Sequence, residues 1–228
     1  RAPHRRGPNP RPVGPAPSPV AALVLAAGAG SRLGGVNKAG LAIDGQSFLR
    51  RIVATARAAG IADVVCVVAP PFASAIRAAH ADLGIRFVDN LAPEQGMASS
   101  VAVGLEVLVG SSAQALLLWP VDTPGPRATT VSALCTAEAP SGLLIPRHHG
   151  RGGHPVRIDR RWWPQLMVAG GIDGGVRALY RDVAPDGLSV DDAAVLLDVD
   201  RAGDAEALGR HLQRASAAPA EVRGDDER

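Results

Sequence analysis

VAALVLAAGAGSRLGGVNK, residues 20–38, joins an apolar run to a glycine-rich loop. The first eight residues are apolar without alternation, the pattern of a strand buried on both faces. A loop that follows such a strand and leads into a helix is where an open α/β sheet receives phosphate groups. Three phosphate-binding mechanisms compete for this one. A dinucleotide fingerprint needs a third glycine or alanine, and Leu33 stands there behind Gly28 and Gly30. A Walker loop needs a lysine between glycine and a hydroxyl residue, but Lys38 lies between Asn37 and Ala39. What remains is a longer loop whose backbone N–H groups approach a triphosphate while Arg32 and Lys38 supply charge. Lys38 is the only lysine among 24 basic residues. An ammonium is a compact point charge that bridges phosphates, whereas guanidinium is a planar fork, so its retention in this loop points to a requirement.

Working outward, strand and helix patterns alternate. Residues 46–59 read as a helix, with Phe48, Leu49, Ile52, Val53 and Ala56 on one face and Gly60 as its stop. Residues 64–68 form a second strand, and Pro70 and Pro71 open a helix reaching about Leu83. A short strand at 85–88, a helix at 97–108, a strand at 115–121 ending at Asp122, a helix at 127–138 and a strand at 143–146 follow. This order predicts right-handed crossovers and a three-layer α/β/α, Rossmann-like architecture with a mostly parallel sheet. Beyond Pro146, seven glycines between 150 and 175 loosen the pattern, and a lobe or lid closing over the sheet is expected. Residues 195–199 (VLLDV) read as a last strand and 205–213 as a last helix.

Composition narrows the function classes. Hydrophobic residues are 46% of the 228, aromatics only 3%, which suits aliphatic strands under helices and argues against a nucleic-acid binder built on stacking aromatics. Residues 1–19 hold Arg1, Arg5, Arg6 and Arg11, seven prolines and no acid. They read as a disordered tail, so the body, 20–217, is near neutral, and 218–228 read as a second tail. Cys66 and Cys135 lie in apolar runs and read as small hydrophobes of a reducing compartment. The run at 20–27 is too short to cross a membrane and no standard signal peptide precedes it, so a cytoplasmic protein is expected.

Three carboxylates stand out. Asp122 ends an apolar strand, where side chains face the ligand crevice. Asp198 and Asp200 end the 195–199 run, and alternation would put both on one face. Mg²⁺ favours one or two such carboxylates with phosphate and water. The competing role for each is capping a helix. His148, His149 and His154 cluster in the glycine-rich stretch, but no Cys or Glu is spaced to complete a zinc site.

The loop LAAGAGSRLGGVNK resembles the signature of the MobA-like nucleotidyltransferases, especially the molybdenum cofactor cytidylyltransferases. The similarity continues through NLAPEQGMASS (90–100), VDTP (121–124), RGGHPV (151–156), DGGVR (173–177) and LDVDRAGD (197–204), in the family's order, over about residues 20–210. Leu33 and Thr123 replace usual methionines, Val176 replaces alanine, and residues 34–38 look more like guanylyltransferase relatives. The resemblance implies the nucleotide-diphospho-sugar transferase type of fold and Mg²⁺ as cofactor. It implies a nucleotide site of Leu25, Ala26, Ala27, Gly28, Gly30, Ser31, Arg32 and Lys38, completed by Asn90, Gly96 and Ser100. Asp122 and Asp200 would hold the metal, with Arg32, Lys38 and Asp122 catalytic. His154, Asp173 and Arg177 would surround the acceptor.

The implied reaction moves CMP from CTP to the phosphate of molybdopterin and releases pyrophosphate, with a molybdoenzyme as the eventual recipient of the product. Ala27 stands where guanine-using relatives have glycine, and its methyl leaves less room for a purine. A guanylyltransferase, a sugar-phosphate nucleotidyltransferase and a non-catalytic nucleotide-binding cofactor chaperone are the alternatives.

Overall fold

The computed structural model describes residues 19–28, 35–168 and 178–217. The two tails expected at 1–19 and 218–228 thus lie almost wholly outside the described residues. The elements run β1 (Val20–Leu25), β2 (Ala42–Ile43), β3 (Gln46–Ser47), α1 (Phe48–Ala58), β4 (Val64–Val68), α2 (Ala73–Ala79), β5 (Arg86–Asp89), α3 (Met97–Leu108) and β6 (Ala115–Pro120). They continue with α4 (Ala128–Thr136), β7 (Leu143–His148), β8 (Arg151–Gly152), β9 (Val156–Asp159), α5 (Trp163–Val168), α6 (Leu179–Asp182), β10 (Asp186–Ser189) and α7 (Ala202–Ala217).

Among the described residues, eight strands form one sheet in the order β10-β7-β9-β6-β1-β4-β5, with β8 paired to β7. β6, β1, β4 and β5 are mutually parallel, as are β7 and β10. Side chains alternate between two cores, as the pleat requires. Ala22 and Val24 of β1 point with Cys66 and Trp119 towards α1, α2, α4 and α7. Ala21, Leu23 and Leu25 point with Val65 and Leu118 towards α3, α5 and α6. The chain therefore has the expected three-layer α/β/α architecture with a mostly parallel sheet.

Two expectations need correction. The stretch after Pro146 is not wholly a lobe over the sheet, because β9 returns into it between β6 and β7, antiparallel to both. Arg157 hides this strand from a reading of polarity. Its guanidinium is buried and satisfied by the carbonyls of Leu134 and Ala137, at 2.8 and 2.7 Å, at the C-terminus of α4. The supposed last strand at 195–199 is instead a 3₁₀ turn, Ala193–Leu196, followed by an extended segment. Its apolar residues are buried by packing rather than by pairing, with Ala194 and Val195 fully enclosed.

Candidate active site

At the C-terminal end of β6 the chain turns sharply. Thr123, fully buried, donates its hydroxyl to the carbonyl of Pro120 at 2.8 Å, and the indole N–H of Trp119 reaches the carbonyl of Thr123 at 2.8 Å. These bonds fix the turn between them and aim Asp122 into the crevice. The backbone N–H of Val199 donates to the carbonyl of Asp122 at 2.8 Å, which lays the segment carrying Asp198 and Asp200 beside the strand end. α4 begins beyond Arg127, and Asp122 is not its N-cap, so the capping role does not account for this carboxylate.

Lys38 starts the 3₁₀ turn Lys38–Gly40, which Asn37 caps through its side-chain oxygen. Its Nζ donates to Oδ2 of Asp122 at 2.9 Å and to Oδ1 of Asp200 at 2.6 Å. Its side chain is only 13% exposed, against 27% and 33% for the two aspartates, so the triad forms the floor of a partly water-excluded site. Burial works against the Lys38 ammonium, but its bonds to Asp200 and Asp122 outweigh that and hold its pKa above the ordinary lysine value. Asp198 reaches the surface, yet partial desolvation first, and then the charges of Asp122 and Asp200, push its carboxyl above the usual range. Such crowding of negative charge favours a cation more compact and more highly charged than an ammonium. Among the described residues no three His, Cys, Asp or Glu side chains form a ready-made metal cage. Two aspartates converging on one positive atom nevertheless fit Mg²⁺ or Mn²⁺, which would complete its shell with phosphate and water.

Above this floor lies an open cleft of about 600 Å³. Leu25, Ala26, Ala27 and Gly28 line one wall, Pro93, Gly96, Met97 and Ser100 the other, and Lys38, Asp122 and Asp200 the base. Gly96, at φ 89°, makes the left-handed turn that starts α3. Asn90 does not line the cleft. It is buried behind the wall, donates Nδ2 to the hydroxyls of Ser99 and Ser100, both at 2.9 Å, and accepts from the backbone of Ala92. Asn90 therefore holds Ser100 at the cleft surface.

His154 is half-buried in the loop between β8 and β9, its backbone N–H bonded to the carbonyl of Val195 at 2.8 Å. That contact ties the His154 loop to the segment leading to Asp200. His148 faces elsewhere, with Nδ1 3.1 Å from the carbonyl of Val190. Gly30, Ser31 and Arg32 of the glycine-rich loop, and Asp173 and Arg177 of the expected acceptor site, lie outside the described residues. The supporting residue Trp119 escapes a sequence reading. The only signal is a buried-type residue beside a site motif.

The profile of the MobA-like NTP transferase domain matches residues 22–190. Molybdenum cofactor guanylyltransferase of Acidiphilium cryptum (strain JF-5) is 32% identical over 151 residues, 66% of this chain and 69% of that protein. Nicotine blue oxidoreductase of Paenarthrobacter nicotinovorans is 31% identical over 170 residues, 71% of this chain and 81% of that protein. Among solved structures, Rv0371C of Mycobacterium tuberculosis H37Rv in complex with manganese superposes with TM-score 0.67 at 26% identity, covering 84% of this chain and 98% of that one. A nucleotidyl transferase from a Methanothermobacter superposes with TM-score 0.72 at 19% identity, covering 86% and 98%, a likeness of fold. Among the described residues no helix is long and apolar enough to cross a membrane.

Proposed function

Because this chain belongs to the MobA-like NTP transferase family, we propose that it transfers CMP from CTP to a phosphorylated small molecule of the molybdopterin type, with Mg²⁺ or Mn²⁺. The observation that carries this reading is the convergence of Lys38, Asp122 and Asp200 at the base of the cleft. A phosphate oxygen of the acceptor attacks the α-phosphorus in line. The bond from that phosphorus to the β-phosphate oxygen breaks, and pyrophosphate leaves with the electron pair. No protein nucleophile is needed, so catalysis rests on positioning and charge. A divalent cation held by Asp122 and Asp200 would supply Lewis-acid neutralisation of the phosphate charge. Lys38 then turns its ammonium from the carboxylates to the phosphates, and Arg32 adds a second positive group. The backbone of 25–28, together with Gly96 and Ser100, holds the nucleoside, and His154, Asp173 and Arg177 receive the acceptor.

Two observations favour different second readings. The likeness to a guanylyltransferase favours GTP as donor. The relative named an oxidoreductase favours a family member with redox chemistry instead of transfer. A non-catalytic cofactor chaperone has less support, since the Lys38 and aspartate triad is intact, whereas a sugar-phosphate acceptor would use the same triad. Pyrophosphate release measured with the four NTPs, with molybdopterin, with a sugar phosphate and with no acceptor, separates these. Metal-dependent release that requires acceptor and prefers CTP is expected. Preference for GTP would move the assignment to the guanylyl reading, and no release with any NTP would overturn nucleotidyl transfer.

A further inference from the structure

Asp192 is remote from the cleft in sequence motif and in lining, yet it is one of the most deeply buried charges among the described residues, at 2% exposure. Its Oδ2 accepts from the backbone N–H of Arg127 at 2.8 Å and from the hydroxyl of Thr130 at 2.7 Å. Oδ1 accepts from the backbone N–H of Ala194 at 3.3 Å, and Nε of Arg127 lies 3.7 Å from Oδ2. The carboxylate thus serves as the N-cap that α4 lacks locally, where helix geometry leaves unpaired N–H groups and favours negative charge. It simultaneously starts the 3₁₀ turn Ala193–Leu196, which it caps.

That turn is the root of the segment bearing Asp198 and Asp200, and it is clamped on both sides. A Cβ at Gly125 would lie 2.9 Å from Cβ of Ala194, and one at Gly153 would collide with the carbonyl oxygen of Val195. Only glycine admits both approaches. Downstream, Val199 is bonded to Asp122. Three loops therefore meet on the turn: the one after Asp122, the one carrying His154, and the one carrying Asp200. A single buried carboxylate, 65 positions after Arg127, ties this turn to the start of α4.

We propose that Asp192 is a positioning residue for the cation site, fixing Asp200 opposite Asp122 through the Ala193–Leu196 turn. This rests on the reading of Asp122 and Asp200 as the cation ligands. Groups behind metal ligands typically govern affinity by about 10–100-fold when removed. In Asp192→Asn one of the two acceptor oxygens becomes an NH2 donor, so either the N-terminus of α4 or the N–H of Ala194 loses its acceptor and the turn loses its register.

Mn²⁺ titration followed by electron paramagnetic resonance, with a non-hydrolysable CTP analogue present, tests the proposal in the full chain. Wild type should bind one Mn²⁺. Asp192→Asn should bind it about tenfold more weakly, while circular dichroism shows the same secondary structure at the assay temperature. Thr130→Val, which removes one donor and keeps the carboxylate, should weaken Mn²⁺ in the same direction by less. A purely structural role would lower the unfolding temperature and leave the Mn²⁺ constant of the folded protein unchanged, which would overturn the proposal. Should Asp192→Asn not fold, an unaltered constant in Thr130→Val would overturn it equally. Absence of Mn²⁺ binding in wild type, an outcome of that arm alone, would overturn the cation site and this inference together.

Discussion

Nζ of Lys38 lies 2.6 Å from Oδ1 of Asp200, although 162 positions separate them in the chain. The same ammonium reaches Asp122, so it sits at the point between two carboxylates that a divalent cation would take. One positive group excludes the other from that point. On the proposed reading, loading the cation would require Lys38 to leave, and a triphosphate above it would offer the ammonium a new partner.

Replacing Lys38 tests this double role. Lys38→Ala should lower the rate of pyrophosphate release about 10²–10³-fold, the usual cost of removing one donor to a developing oxyanion. Lys38→Arg should also be impaired, because a planar fork does not reproduce a point charge. Initial rates at saturating metal and nucleotide check both, and a near-normal Arg variant would rule out a need for the ammonium. Lys38 is the only lysine in the chain, so amine labelling read by mass spectrometry reports on it directly. Saturating metal and nucleotide should slow that labelling further.

Asp122→Asn should abolish turnover, with a fall of at least about 10²-fold, because a lost metal ligand removes several kcal/mol of transition-state stabilisation. The fold should survive, since the side chain of Asp122 meets Lys38 and is not the N-cap of α4. Thermal unfolding beside the rate assay decides between the two roles, and collapse of the variant would restore a structural one. Chelation of metal from wild type should likewise stop pyrophosphate release, and added Mn²⁺ should restore it.

Ala27→Gly addresses the base. Ala27 lines the cleft beside Ala26 and Gly28, and its methyl is the extra volume on that wall. Its removal should raise the GTP-to-CTP ratio of kcat/KM several-fold, on the scale of about 1–3 kcal/mol per methyl-sized group in a pocket. An unchanged ratio would relieve Ala27 of any part in base choice.

The two cysteines should differ in reactivity. Neither is in a disulfide, but Cys66 is fully buried on β4 while Cys135 on α4 is only partly so. Burial pushes the Cys66 thiol far above its ordinary pKa, and the thiolate is the reactive form. A thiol reagent should modify Cys135 alone in the folded protein and reach Cys66 only in denaturant. Equal rates in the native state would contradict the packing of β4.

The residues proposed for the site stand out locally in 20–38 and 121–124. A non-alternating apolar run, a glycine-rich loop with a lone lysine, and an aspartate at a strand end each carry their chemistry locally. Helices were read with ends good to a few residues, because a buried stripe on α1 or α3 repeats every turn. The motif places Asn90 among the residues expected at the nucleotide, whereas its side chain holds Ser99 and Ser100. A short polar side chain in a motif looks the same whether it faces a ligand or stands behind one that does.

Sequence alone therefore determined the class of fold and pointed to the residues proposed for the site, since periodicity, turn residues and side-chain chemistry are properties of neighbouring residues. Tertiary structure decided the rest. It inserted β9 antiparallel between β6 and β7, where a buried Arg157 answers the carbonyls at the end of α4. It turned 193–196 into a capped 3₁₀ turn instead of a strand, and it brought Lys38, Asp122 and Asp200 onto one point. Those outcomes depend on which distant groups the shared core brings within bonding distance, and a local pattern carries no record of a partner 65 or 162 residues away.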